Sequence, residues 1–279
     1  MTMPTRMQLS IFVNLVRADL RAFWGSYRSE TEDMLIYIAV VTLVTGYMMP
    51  LFGVPLPFVL LSFTGIVGSA VSFRTFDNIS GTVSDLCGDR AIDQRLILPV
   101  PSWMTLAATV TSFFLRTMCV CVWVLPLGLL LLWGIFPLEH LSLWRYAVML
   151  VLAAFFFSAF SLVMASMIDA PHQLGRAWIR VLFPLWFFGG LQFTWEKLHG
   201  VVPLLAYVDL INPYVYTMEG MRTALTGPSG NLPFWACVLG LVVLSAFAFL
   251  VGVARLKGKL DYVSENTRRQ CGARDFAGH

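Results

Sequence analysis

The chain has 279 residues, 58% hydrophobic and only 13% charged, with a formal net charge of +3 and a mean hydropathy of +0.74. A soluble domain carries about 25% charged residues, and one this apolar would expose large sticky patches to water. An ordinary soluble domain is therefore excluded, and the small net charge does not suggest a nucleic-acid binder.

The N-terminal 33 residues hold four arginines and four acids but no continuous apolar core, so no secretory signal peptide is expected. Within them, "SIFVNLVRADLRAFWGSYRSETED" places Phe12, Leu15, Val16, Leu20, Phe23, Trp24 and Tyr27 at helical spacing. Asn14, Arg17, Arg21 and Arg28 take the opposite face. Such a helix is too polar to span and is predicted to lie in the interface, with Phe12, Leu20 and Phe23 seated in lipid. It is either a simple anchor or an elbow that also touches a partner. Ser29 and Glu32 match a capping box that would start the first span.

Crossing the hydrocarbon core takes ~20 apolar residues as a helix. Six runs qualify, at residues 34–52, 56–73, 106–136, 146–168, 178–195 and 234–254. "GVPLP" joins the first two as a helical hairpin. The third is over-long and is expected to tilt or kink near Pro126. With both termini inside, the cytoplasmic segments hold 15 of the 19 lysines and arginines, and the outer segments hold Arg145, Lys197 and Arg222. Positive charge gathers on the cytoplasmic side, which sets this orientation. Arg116 falls within the third span, as a functional charge or as a side chain that snorkels to the surface.

The stretch "DLCGDRAIDQRLILPVPSW" then lies in the cytoplasm. Asp85, Asp89 and Asp93 fall on one stripe if helical, with Arg90 and Arg95 beside them. Proline at 99 and 101 stops any helix there. The segment is a solvated loop or a short docking helix shown to a cytoplasmic partner.

The fifth run carries Pro184 and the pair Gly189-Gly190, which weaken a helix interior. Beyond it, residues 201–211 are too short to span and contain Pro203 and Asp209, which suggests a re-entrant or interfacial segment. Asn212 can cap a second short helix with Pro213 at its first position. Glu219 and Arg222 can pair at i,i+3, and Gly227-Pro228 ends the helix. Irregular backbone at membrane depth is tolerable where protein buries it or where it lines a cavity, which favours translocation over anchoring.

Catalytic and metal signatures are lacking. "KGKL" is not a P-loop, and there is no HExxH. "GPSG" resembles a rhomboid-type serine motif, but the only later histidine is His279 at the tail tip. Asp169 is a lone acid at a span end, and His140, His172 and His199 fall in loops. The five cysteines show no ligand or disulfide spacing.

The order of these features, closing on "LPVPSW" and then "INPYVYTMEGMRTAL" before the last span, resembles the permease subunit of a type-2 ABC exporter over about residues 11–263. The most specific stretch is the Asn-Pro…Glu-Gly-x-Arg pattern at 212–225. The resemblance implies an all-α polytopic membrane protein with six transmembrane helices, an N-terminal amphipathic interfacial helix and short re-entrant outer helices before the last span. Its divisions would be 1–33, a six-span domain at 34–254 and a basic cytoplasmic tail at 255–279. It implies that Asp85, Asp89, Arg90, Asp93 and Arg95 couple to the ATPase, and that Asn212, Pro213, Glu219 and Arg222 form an outer gate. The chain would bind no cofactor directly and would use ATP and Mg through separate ABC ATPase subunits. A second permease copy or homologue and membrane lipid complete the partners, in a plasma (bacterial inner) membrane. The family's substrates include drugs, lipids and lipid-linked glycans. A secondary carrier and a non-transporting scaffold or assembly factor are the alternatives.

Overall fold

A computed structural model describes residues 5–87 and 100–275, with side chains from residue 6 to 87 and from 100 to 259. The described residues form helices and turns without strands. Helix α1 (Thr5–Leu43) continues through a π turn at Val44–Met48 and a last turn at Met49–Leu51. Then come α2 (Leu56–Cys87), α3 (Ser102–Cys121), α4 (Val124–Leu131) and α5 (Leu143–Met167). The helical run α6 joins Leu174–Ala177, a π turn at Trp178–Leu182, and Phe183–Phe188. Short helices α7 (Trp195–Val201) and α8 (Pro203–Asp209) follow, then α9 (Pro213–Thr226) and α10 (Phe234–Asp275). Five helical stretches are long and apolar enough to cross a membrane: α1, α2, α3 with α4, α5, and α10 up to Lys259. The chain is all-α and transmembrane in character.

Three features differ from the sequence expectations. The elbow and the first span are one helix. Between Thr5 and Leu43 only Gly25 weakens a helix, at a cost of roughly 1 kcal/mol, too little to break it. Ser29 lies mid-helix and cannot act as an N-cap, which needs non-helical backbone. Nearby polar groups bond along the helix instead, Ser26 Oγ to Glu30 at 2.6 Å and Arg28 Nε to Glu32 at 2.7 Å. Second, α2 runs on to Cys87, well past the expected end at residue 73, so Arg74 and Asp77 sit inside the helix. Third, the fifth expected run is interrupted: α6 stops at Phe188, and Gly190 turns the chain with a φ of 87°. The third run breaks where its proline dictates. Pro126 lacks an N–H and crowds the carbonyl four residues earlier, and the gap between α3 and α4 falls at Val122–Trp123.

Helix α5 is the hub, packing against α2, α3, α9 and α10. Its inner face is rich in small residues, with Ala153, Ala154, Ser158, Ala159, Ser161 and Ala165 all buried. Small side chains let helix backbones approach closely in an apolar medium. A Cβ on Gly252 of α10 would lie 3.4 Å from the Ala159 carbonyl oxygen and 3.1 Å from Leu162 Cβ. The serines do not go unsatisfied there: Ser158 Oγ donates to Ala154 O at 2.7 Å and Ser161 Oγ to Ser158 O at 2.7 Å. Helix α1 packs along α3 and α4, with Trp123 Nε1 donating to Tyr27 at 3.0 Å and Tyr47 donating to Leu131 O at 2.6 Å. At one end of the bundle Cys87 donates to Asp169 O at 3.4 Å and Lys259 pairs with Asp169 at 3.0 Å. At the other, Ser142 N donates to Ala224 O at 2.8 Å.

An unbroken α1 makes a clear geometric prediction. Leu9 and Ile36 are both exposed on it. At 1.5 Å per residue, spin labels at these positions should lie ~40 Å apart with a narrow distribution. A markedly shorter or bimodal distance by pulsed electron resonance would show an elbow.

Candidate functional site

Two polar assemblies stand out in the apolar bundle. The first is centred on Glu219 and Arg222 of α9. They form an ion pair at i,i+3, with side chains 1% and 2% exposed. Every other partner comes from a different segment. Glu219 Oε1 accepts from Trp195 N at 3.1 Å and Oε2 from Leu232 N at 3.0 Å. Arg222 Nη2 donates to Gly190 O at 2.6 Å and Nε to Thr64 Oγ1 on α2 at 3.3 Å. The pair thus ties α2, the turn after α6, the start of α7 and the loop before α10 to one helix.

Glycine makes the close approaches possible. A Cβ on Gly65 would sit 2.4 Å from Leu191 O, and one on Gly189 would sit 2.3 Å from Tyr214 Cβ. Asn212 caps α9 as expected, accepting from Tyr214 N at 3.1 Å. Its amide donates to Leu185 O at 2.8 Å, which ties α9 to α6. Pro213 is the first residue of α9 and is buried. Asp209, whose backbone carbonyl accepts from Asn212 N at 2.9 Å, is also buried.

The second assembly is a cavity of about 730 Å³ between α1, α2, α3 and the π turn of α6. One side is ionic. Arg74, buried on α2, pairs with Glu30 of α1 and, at 2.8 Å, with Asp77. Asp33 and Arg116 also line it. Arg116 Nη2 donates to Asp19 O at 2.7 Å, and its guanidinium lies over the Phe23 ring at 5.6 Å. Asp19 accepts from Ser112 at 2.9 Å. Another part is aromatic. Trp178 meets Phe73 and Phe76 at ring-centroid distances of 5.8 and 5.4 Å, and Tyr37 meets Phe73 at 4.7 Å. A π turn widens the helix by one residue, and here it sets Trp178 into the cavity wall.

The sequence-predicted residues separate into three places. Asn212, Pro213, Glu219 and Arg222 come together in the first assembly. Phe12 and Leu20 are half-buried, while Phe23 is 3% exposed, its ring turned toward α3 and Arg116. Asp85 lies in the last turn of α2, whereas Asp89, Arg90, Asp93 and Arg95 lie outside the described residues. The sequence reading singles out none of Glu30, Asp33, Arg74 or Asp77. Their signal was available: apolar residues continue at helical spacing past Arg74, through Phe76, Ile79 and Val83. Among the described residues no group of three or more His, Cys, Asp and Glu could hold a metal ion. Compared with known proteins, the chain matches no protein-family model and no curated protein.

Removing one member of a fully buried pair leaves an uncompensated charge and costs about 3–5 kcal/mol. Glu219→Ala and Arg222→Ala should each lower thermal stability in detergent by that order. The exchanged pair, Glu219→Arg with Arg222→Glu, should not restore it. Two backbone N–H groups face position 219 and a backbone carbonyl faces position 222, and these cannot reverse polarity. A restored melting temperature in the exchange would show that the pair alone matters.

Proposed function

We propose that the chain is the membrane-spanning permease subunit of an ATP-driven exporter, moving a hydrophobic, amphipathic or lipid-linked substrate. The observation that carries this reading is the interrupted α6, whose π turn sets Trp178 into the wall of a cavity lined by both charged and aromatic side chains. Broken helices at membrane depth are tolerated where they line a cavity, and discontinuous helices form the substrate sites of many transporters. In this reading α6 enters from the cytoplasmic side, and α7 to α9 form a re-entrant outer cap that completes a sixth crossing. Both termini are cytoplasmic, in a plasma (bacterial inner) membrane.

ATP and Mg act through separate ATPase subunits, and a second permease copy or homologue completes the pathway. The stretch from Asp85 through Asp89, Arg90, Asp93 and Arg95 docks the ATPase. Asn212, Pro213, Glu219 and Arg222 hold the outer gate. Helix α2 is the lever between them. It carries Asp85 at its end, Arg74 in the cavity wall and Thr64 against Arg222. A push at the Cys87 end would bias two arrangements of the cavity and cap, which is the physical content of alternating access. Because the Glu219–Arg222 pair is buried and bonded to four segments, the cap would move as a unit, without opening by loss of that pair.

A secondary carrier is the second reading, favoured by the Glu30–Arg74–Asp77 network, since intramembrane ionisable groups serve ion-coupled transport. Reconstitution with the co-purified ATPase separates the two. Export that needs ATP and persists without an ion gradient supports the exporter, whereas export driven by a proton gradient alone supports the carrier. The topology is tested on Cys87, which is exposed. In a background with Cys271 replaced by serine, an impermeant maleimide should label Cys87 only from the cytoplasmic side. Leu138→Cys should be labelled only from outside. Labelling of Cys87 from outside would overturn both the topology and the exporter reading.

A further inference from the structure

The charged side of the large cavity is unequally matched. Three carboxylates, on Glu30, Asp33 and Asp77, face two guanidiniums, on Arg74 and Arg116. Both guanidiniums are already engaged. Arg74 is held between Glu30 and Asp77, and Arg116 by the Asp19 carbonyl and the Phe23 ring. Asp33 has neither hydrogen bond nor ion pair among the described residues, and its side chain is exposed into the cavity. Phe73, Phe76 and Trp178 line the same cavity, and aromatic ring faces attract cations. The volume of about 730 Å³ falls within the ~300–1,000 Å³ of pockets that enclose drug-sized ligands.

We propose that this cavity binds a lipophilic cation, with its positive centre at Asp33 and its apolar body against Phe73, Phe76 and Trp178. The physical reason is additive. A lone carboxylate in a partly desolvated cavity attracts a positive charge more strongly than it would in water. The aromatic wall favours the same sign of charge and also accepts the apolar groups. A small hydrated ion would use only the first term, and a neutral lipid tail only the last. The inference deepens the permease reading by naming a substrate class, yet binding to the chain alone requires no ATPase.

The test uses two ions of the same shape and opposite charge, tetraphenylphosphonium and tetraphenylborate. Each is measured by equilibrium dialysis against the purified full chain in neutral-lipid nanodiscs, with empty discs subtracted. Tetraphenylphosphonium should bind saturably, and at least about tenfold more tightly than tetraphenylborate. Asp33→Asn should weaken it by about tenfold, and Asp33→Glu should retain it. Trp178→Ala should weaken it several-fold. Asp33 is exposed and has no hydrogen bond or ion pair among the described residues, so its substitution should change the melting temperature little. Absence of saturable binding, equal affinity for the two ions, or no effect of Asp33→Asn would each overturn the proposal. So would tighter binding of tetraphenylborate, which would make the cavity selective for anions. Charge-selective binding to the chain without ATP-dependent export would leave this site standing and sink the exporter reading alone.

Discussion

The fold of the last third of the chain depends on one buried ion pair. Glu219 and Arg222 sit one helical turn apart on α9, away from solvent. Burying two charges is costly unless each is matched and its remaining hydrogen-bonding capacity is filled. Here backbone groups do the filling, from Trp195, Leu232 and Gly190, with the Thr64 hydroxyl as the one side-chain addition. Each backbone partner belongs to an irregular segment whose own amide or carbonyl would otherwise be orphaned in an apolar setting. The charge pair and the broken backbone therefore satisfy each other. Neither would be stable alone.

That mutual dependence explains the glycines around it. The chain must pass close to α2 and α9 to bring the Gly190 carbonyl within reach of Arg222. Any side chain at Gly65 or Gly189 would meet the backbone or the Tyr214 side chain at far less than contact distance. Gly190 adds a φ of 87°, a conformation that side chains disfavour. What resembles weak helix-forming sequence is the geometry that seats a turn against an ion pair.

The cavity follows from a second irregularity in the same segment, the π turn of α6. Had α6 continued as a straight apolar helix, it could have packed flush along α2. The π turn instead places Trp178 against Phe73 and Phe76, leaving space beside Arg74. Because α2 carries Thr64 under the cap and Arg74 in the cavity, a shift in one assembly is mechanically available to the other.

Much of this was legible in the sequence, and for local reasons. Apolar runs of sufficient length announce membrane helices, since hydrocarbon thickness sets their length. Pro126 foretold the break at Val122–Trp123, and Asn212-Pro213 foretold the start of α9, because caps and prolines act within a few residues. The Glu219–Arg222 pairing was visible at i,i+3 spacing, although its burial was not. Other features were decided only by tertiary structure. The capping box at Ser29 was overruled because α1 packs along α3 and α4 as one continuous helix. Arg74 falls just past the expected end of the second span at residue 73, but a buried position inside α2 is tolerable once Glu30, 44 residues away in sequence, supplies the opposite charge. Phe23 read as a lipid contact, but it lies under a guanidinium that comes from α3. Local pattern determines which segments are helical and apolar. Which charges share a cavity is set by partners far apart in the chain, and a single sequence carries no local signal of that meeting.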